Sequence, residues 1–283
     1  MAKLIKGREL ADNMQEQMRL EVEALKKQEI FPGLVVFLVG DDSASKTYIK
    51  NKEIAAQKIG IQSKLENYPS DISEEALLAE IKKYNDNPNY HGILVQLPLP
   101  EHIDEEKVLL AIDPKKDVDG FHPLNMGKLL LGKPAAIPCT PYGIMKMFEA
   151  YEVDLAGKNA IVIGRSNIVG KPMAQLLLAQ NATVTMAHSY TKNLPALAKQ
   201  ADVIVSAIGK GNFITEEFVK EGAVVIDVGM NRDENGKLIG DVKFAEVEPH
   251  ASYITPVPKG VGPMTITMLM QQTIQACKRQ ELS

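Results

Sequence analysis

Short apolar runs alternate with longer stretches whose apolar residues recur at helical spacing, and the alternation persists along the chain. The spacing over 7–29 predicts a helix, and Gly33-Leu-Val-Val-Phe-Leu-Val39 reads as a strand buried on both faces. A helix follows over about 44–59, a strand near 61–66, a helix over 73–86, a strand at Gly92-Ile-Leu-Val-Gln96 and a short helix near 104–111. Asp113-Pro-Lys-Lys-Asp-Val-Asp-Gly120 is a polar, turn-rich break that ends this first unit. Helical segments near 125–130 and 140–151 lead to four regularly spaced strands between 159 and 229, including 182–187, 202–207 and 223–228. A last helix, about 264–280, is rich in Met, Ile and Leu and is expected to pack back onto the first unit. Strands separated by helices imply parallel pairing with right-handed crossovers. The expected fold class is therefore α/β: an N-terminal α/β domain over 1–122 and a doubly wound domain over 123–283, with a cleft between them.

The strand-to-helix junction at Ile161-Val-Ile-Gly-Arg-Ser-Asn-Ile-Val-Gly-Lys-Pro-Met173 changes the picture from architecture to ligand. A strand stops at Gly164, a tight turn follows, and Gly170 opens a helix, which is how a Rossmann-type domain aims backbone N–H groups at a phosphate. The turn departs from G-x-G-x-x-G: Ser166 takes the middle glycine's place and the turn is one residue longer. NAD sites place a carboxylate after the second strand to hold the ribose diol, yet no Asp or Glu occurs from Gly164 through Ala201. Arg165 and the turn His188-Ser189-Tyr-Thr-Lys192 instead suit a ribose 2′-phosphate; a solvated polar loop with incidental basic residues is the plainer alternative. The two turns together favour NADP over NAD.

Composition narrows the partners. A net charge of −4 gives no basic field for nucleic acid, and no apolar run approaches the roughly 20 residues that span a bilayer. The first residues show neither a signal-peptide core nor transit-peptide character, and Cys139 and Cys277 are too few and too far apart for a disulfide framework or a Cys-based metal site. A cytoplasmic protein with no metal, nucleic-acid or membrane partner is expected.

The first unit holds the reactive types. Tyr48 and Lys52, four apart in a helical stretch, share one face, although a helical lysine is more often a solvated charge. Gln96 ends a buried strand, where ligands bind in open α/β folds; it either contacts a polar ring or merely caps the strand. Asp117 and Asp119, two apart in an extended turn, point the same way and offer a metal pair or, better, a single carboxylate for the N–H groups of a heterocycle. His91, His102, His122 and His250 form no ligand pattern or triad.

Taken together, these segments resemble the bifunctional methylenetetrahydrofolate dehydrogenase/methenyltetrahydrofolate cyclohydrolase family along essentially the whole chain. The resemblance is carried by Tyr48-Ile-Lys-Asn-Lys52, Val95-Gln-Leu-Pro-Leu-Pro100, Lys116-Asp-Val-Asp-Gly-Phe121, Pro138-Cys-Thr-Pro141, Gly164-Arg-Ser-Asn-Ile-Val-Gly-Lys-Pro172 and Pro258-Lys-Gly-Val-Gly-Pro-Met-Thr265. Lys259 departs from the family's Pro-Gly-Gly-Val-Gly-Pro. The resemblance implies Lys52 as the catalytic lysine, Tyr48 as its neighbour over the substrate, Gln96 as its hydrogen-bond partner and Asp119 as the pterin anchor. Gly164, Arg165, Ser166, Ser189 and the backbone of Met230 match the family's cofactor positions, with NADP as the cofactor, tetrahydrofolate one-carbon compounds as substrates and a homodimer as the expected assembly. Lys46 and Lys50, if close, would help keep Lys52 available as a base. Other readings are an NADP-dependent dehydrogenase for another small substrate, a folate-binding module without catalysis, and a dehydrogenase lacking the hydrolytic step.

Overall fold

The computed structural model describes residues 2–282. The chain opens on β1 (Lys3–Leu4) and α1 (Gly7–Lys26), followed by β2 (Gly33–Val39), α2 (Ser43–Ile59), β3 (Gln62–Tyr68), α3 (Glu74–Asn85), β4 (Gly92–Val95) and α4 (Glu105–Ala111). Two helices, α5 (Pro123–Leu130) and α6 (Cys139–Ala150), precede β5 (Asn159–Ile163), α7 (Gly170–Ala179), β6 (Thr183–Ala187), α8 (Leu194–Ala198), β7 (Val203–Ser206) and β8 (Ala223–Asp227). The short pair β9 (Asn231–Arg232) and β10 (Leu238–Ile239), α9 (Phe244–Val247), β11 (Ala251–Ile254) and α10 (Val261–Glu281) complete the chain.

The chain divides into two compact units, Asp12–Ile137 with the residues from Ile266 onward, and the residues up to Ala11 with Pro138–Thr265. The first contains a parallel three-stranded sheet in the order β3-β2-β4. Its middle strand is buried at every position, which is why it reads as an unbroken apolar run, whereas the edge strand β3 alternates. Val35, Phe37 and Val39 pack with Leu77 and Ile81 of α3, Ile93 and Val95 of β4, and Val108 of α4. Each such side chain, fully buried, contributes roughly 1.5–3 kcal/mol of transfer free energy.

The second unit carries a parallel sheet in the order β1-β11-β8-β7-β5-β6. From β5 the chain adds β6 on one side and then β7 on the other, so the carboxyl ends of β5 and β7 mark the switch point where such sheets bind ligands. Ile161, Ile163, Ile204 and Val225 form its core with Val247 and Ile254.

The compact division falls at 137/138, not at the 122/123 boundary read from the sequence, because α5 is tied to the earlier turn. Asn125 is buried, and its amide donates to the Asp117 carboxylate at 2.8 Å and to the Pro114 carbonyl at 2.9 Å. The N-terminal residues join the second unit through β1, which pairs with β11, and through the Arg8 N–H, which donates to the Lys259 carbonyl at 3.0 Å. There a Cβ on Gly7 would lie 2.0 Å from the Gly260 carbonyl oxygen. Lys259 itself sits at φ +80°, the left-handed region that favours glycine. From Ile266 onward α10 belongs to the first unit, where the Gln272 amide donates to the Val118 and Ile137 carbonyls at 2.8 Å each and Lys278 pairs with Glu21 at 2.5 Å.

Candidate active site

In the three-stranded unit the reactive side chains meet at the carboxyl end of β4. Asp42 caps α2 by accepting the Ser45 N–H at 2.7 Å, and the helix carries Tyr48 and Lys52 on consecutive turns of one face. Gln96 follows β4 directly, its N–H donating to the Phe37 carbonyl at 2.9 Å. Its side-chain amide donates to the Leu97 carbonyl at 2.7 Å, which turns Oε1 outward from that bond to accept from Lys52 Nζ at 2.8 Å. Lys52 is buried, and its Nζ lies 5.6 Å from the centroid of the Tyr48 ring, a cation–π distance. Burial, then the negative charge of Asp119, pushes the Tyr48 phenol above its ordinary pKa and keeps it a neutral donor. Tyr48, Lys52, Gln96 and Asp119 are thus drawn into one neighbourhood. Lys46 is exposed and paired with Asp41 at 2.8 Å, so a counter-charge and water screen it, and Lys50 is exposed to screening by water.

Asp117 and Asp119 do not act as a pair. The Asp117 carboxylate is buried and accepts the N–H groups of Gly120 at 2.9 Å, Phe121 at 3.2 Å and His122 at 2.9 Å, besides the Asn125 amide. It folds its own turn, in which Gly120 takes φ +77°, whereas Asp119 is the member whose charge acts on Tyr48. The Lys116 ammonium, also buried, donates to the Tyr84 and Asn87 carbonyls at 2.9 and 2.7 Å and anchors the same segment. Among the described residues no group of three His, Cys, Asp or Glu is arranged to hold a metal. His91 is buried, accepts the Gly33 N–H at 3.1 Å and is held below its ordinary pKa by burial; His122 caps α5 through the Leu124 N–H at 3.1 Å.

In the six-stranded unit the residues expected from the sequence to meet a cofactor follow the carboxyl ends of β5, β6 and β8. Gly164 has φ +131°, and a Cβ there would lie 2.3 Å from the Ala207 carbonyl oxygen; a Cβ on Gly170 would lie 2.3 Å from the Gly164 carbonyl oxygen. Both glycines are therefore required by close backbone approach. Ser166 Oγ accepts the Val169 and Gly170 N–H groups at 3.2 and 3.3 Å, which shapes the turn at the start of α7. Arg165, Ser166 and Ser189 are exposed, and the Arg165 guanidinium lies 5.5 Å from the centroid of the exposed Tyr190 ring. Met230 is exposed in the segment between β8 and β9. Two further acids in this unit, Asp227 and Asp241, are buried. Sequence reading passed over both; an apolar strand ending in Asp, and an Asp directly after Gly240, were the available signals.

A reactive side-chain cluster on one α/β unit and a phosphate turn on a doubly wound unit define a dinucleotide-dependent enzyme. The chain belongs to the tetrahydrofolate dehydrogenase/cyclohydrolase family: the model of the family's catalytic domain matches residues 5–119, and that of its NAD(P)-binding domain matches 138–281. The bifunctional protein FolD of Enterococcus faecalis is 70% identical over 99% of this chain and 100% of its own length. Among solved structures, the bifunctional methylenetetrahydrofolate dehydrogenase/cyclohydrolase FolD of Campylobacter jejuni aligns with a TM-score of 0.97 at 48% identity, covering 99% of each chain. The Trypanosoma brucei methylenetetrahydrofolate dehydrogenase-cyclohydrolase, complexed with NADP cofactor and inhibitor, aligns with a TM-score of 0.95 at 37% identity, covering 98% of each chain.

Proposed function

We propose that this chain oxidises 5,10-methylenetetrahydrofolate to 5,10-methenyltetrahydrofolate with NADP⁺ and hydrolyses the product to 10-formyltetrahydrofolate. The observation that carries the reading is the buried Lys52 amino group, directed by Gln96 beside Tyr48, in the part of the chain that matches the family's catalytic domain. The six-stranded unit fits NADP: Gly164 and Gly170 let the turn between β5 and α7 close tightly on neighbouring backbone, as a phosphate turn requires, and Arg165, Ser166 and Ser189 offer donors with no acid in that stretch to repel a 2′-phosphate. NADP⁺, when bound, supplies the hydride acceptor.

The oxidation needs little acid–base help. As hydride leaves the methylene carbon, the lone pair of the adjoining nitrogen delocalises onto it, so orienting the folate is the main task of the protein. Asp119 accepts the N–H groups of the pterin, and Tyr48 covers the substrate. Hydrolysis makes a different demand. Water must lose a proton as it adds to the methenyl carbon, and a ring nitrogen must gain one before its C–N bond breaks. The Lys52 amine takes the first proton and returns it to the nitrogen, while Gln96 fixes its direction; the remaining O–H proton passes to solvent as the C–N bond breaks and the formyl C=O forms. The family resemblance also supports a cytoplasmic homodimer, which light scattering would check.

The test is one progress curve: purified protein with methylenetetrahydrofolate and NADP⁺, following NADPH and methenyl product separately. NADPH should rise while methenyl disappears faster than in an enzyme-free control. Methenyl accumulating at the uncatalysed rate of decay would leave a dehydrogenase alone, and no NADPH would remove the folate reading.

A further inference from the structure

Asp227 and Asp241 have no part in the chemistry above, yet they are the most heavily bonded carboxylates of the six-stranded unit and are buried at 3% and 0% exposure. Asp227, the last residue of β8, accepts the N–H groups of Gly229 and Asp241 on one oxygen, each at 2.9 Å, and that of Val242 on the other at 3.0 Å. It therefore holds the segment carrying Asp241 against the end of the sheet. Asp241 in turn gathers the turn that follows β7. One of its oxygens accepts Ser206 Oγ at 3.1 Å and the N–H groups of Ile208 and Gly209 at 2.9 and 3.3 Å. The other accepts the Lys210 N–H at 2.9 Å and the Asn231 amide at 3.0 Å.

The packing leaves no slack between the two acids. A Cβ on Gly229 would lie 2.4 Å from Asp241 Oδ1, and one on Gly240 would lie 1.8 Å from Asp227 Oδ2. What they hold is the ligand edge. The turn after β7 begins at Ala207, whose carbonyl oxygen is the atom that Gly164 approaches too closely for any side chain. Asn231 follows Met230 directly. A continuous series of contacts thus runs from Asp227 through Asp241 to the β7 turn and to the glycine of the phosphate turn, across the switch point between β5 and β7.

We propose that Asp241, held by Asp227, is a positioning residue of the NADP site: it sets the backbone of the turn after β7 and of the Met230 segment, and through Ala207 the placement of the Gly164 turn. A carboxylate suits this work because it has only acceptors, and all of its partners here are donors; an amide of the same shape would turn an NH₂ toward some of them. The inference rests on the cofactor reading above. If the unaltered protein binds no NADP⁺, that reading falls; if it binds and the variants bind equally well, only the positioning role falls.

The experiment is calorimetric titration of NADP⁺ into Asp241→Asn and Asp227→Asn, with hydrolysis of supplied methenyltetrahydrofolate in the absence of nucleotide measured on the same preparations. NADP⁺ should bind about tenfold more weakly or worse, the KM for NADP⁺ should rise, and the folate KM and the hydrolysis rate should stay within about twofold. Binding within about twofold of the unaltered protein, in a variant that still hydrolyses methenyltetrahydrofolate, overturns the proposal. Should neither variant fold, Ser206→Ala and Asn231→Ala each remove one donor from Asp241 and spare the carboxylates. Weaker NADP⁺ binding in either supports the role, and unchanged binding in both overturns it.

Discussion

Lys52 is 8% exposed and Arg165 lies in the solvent, and the difference extends to everything around them. In the three-stranded unit the working atoms belong to side chains fixed against one another: Gln96 is oriented by Leu97 and Lys52 by Gln96. In the turn after β5 of the six-stranded unit the fixed atoms are backbone, and the Arg165 side chain lies exposed beside the Tyr190 ring. A group that must both take and give a proton works best partly desolvated and held in direction. A group that binds a highly hydrated phosphate must stay reachable, and its precision comes from the glycine-shaped backbone beneath it.

The contrast is tested most severely at Lys52. Lys52→Met should lower hydrolysis of methenyltetrahydrofolate by roughly 10²–10⁴-fold while NADP⁺ affinity stays unchanged by calorimetry. Hydrolysis near the unaltered rate would end the assignment. Arg165→Ala comes next: the KM for NADP⁺ should rise about 10–100-fold and that for NAD⁺ far less, because only the 2′-phosphate loses a charged donor. Equal losses would remove the 2′-phosphate argument.

Asp227 should show itself through pH. Burial pushes its carboxyl from the ordinary 3.8 to about 6. Because the folded-state value is the higher one, the folded protein takes up the proton more readily than the unfolded chain. The favourable contribution is complete below about pH 4 and is lost as pH rises through about 6, roughly 3 kcal/mol from this group alone. Carbon-13 NMR of labelled aspartate should find one carboxyl titrating near 6 that Asp227→Asn removes; a midpoint near 4 would contradict it. The smallest effect belongs to Lys259→Gly. Relief of the left-handed strain at φ +80° should raise stability by up to about 1 kcal/mol in urea unfolding, part of it offset by the freer unfolded chain. A net loss would show that the lysine side chain contributes more than its backbone conformation costs.

The sequence was most readable where burial is one-dimensional. β2 is covered on both faces and appears as an apolar run, and spacing alone puts Tyr48 and Lys52 on one face of α2, while their roles came only with the family resemblance. Strands β1, β9 and β10 have two residues each, too few to display a period, and their pairing depends on distant segments. The link between Lys52 and Gln96 spans 44 positions and joins a helix to a strand end, so no local pattern contains it. Asp117 and Asp119 show how a spacing rule fails: alternation holds along extended backbone, but Asp117 spends its carboxylate on the turn that follows, and only folding reveals which acid remains for a ligand. The bonds of Asp241 likewise reach back to Ser206, 35 positions earlier.

The separation of proton-handling side chains from the cofactor-binding backbone is tested most directly by supplying methenyltetrahydrofolate, without nucleotide, to Arg165→Ala. Hydrolysis within about twofold of the unaltered protein is expected, since Lys52, Gln96 and Tyr48 are untouched. A fall in hydrolysis that parallels the loss of NADP⁺ affinity would contradict it.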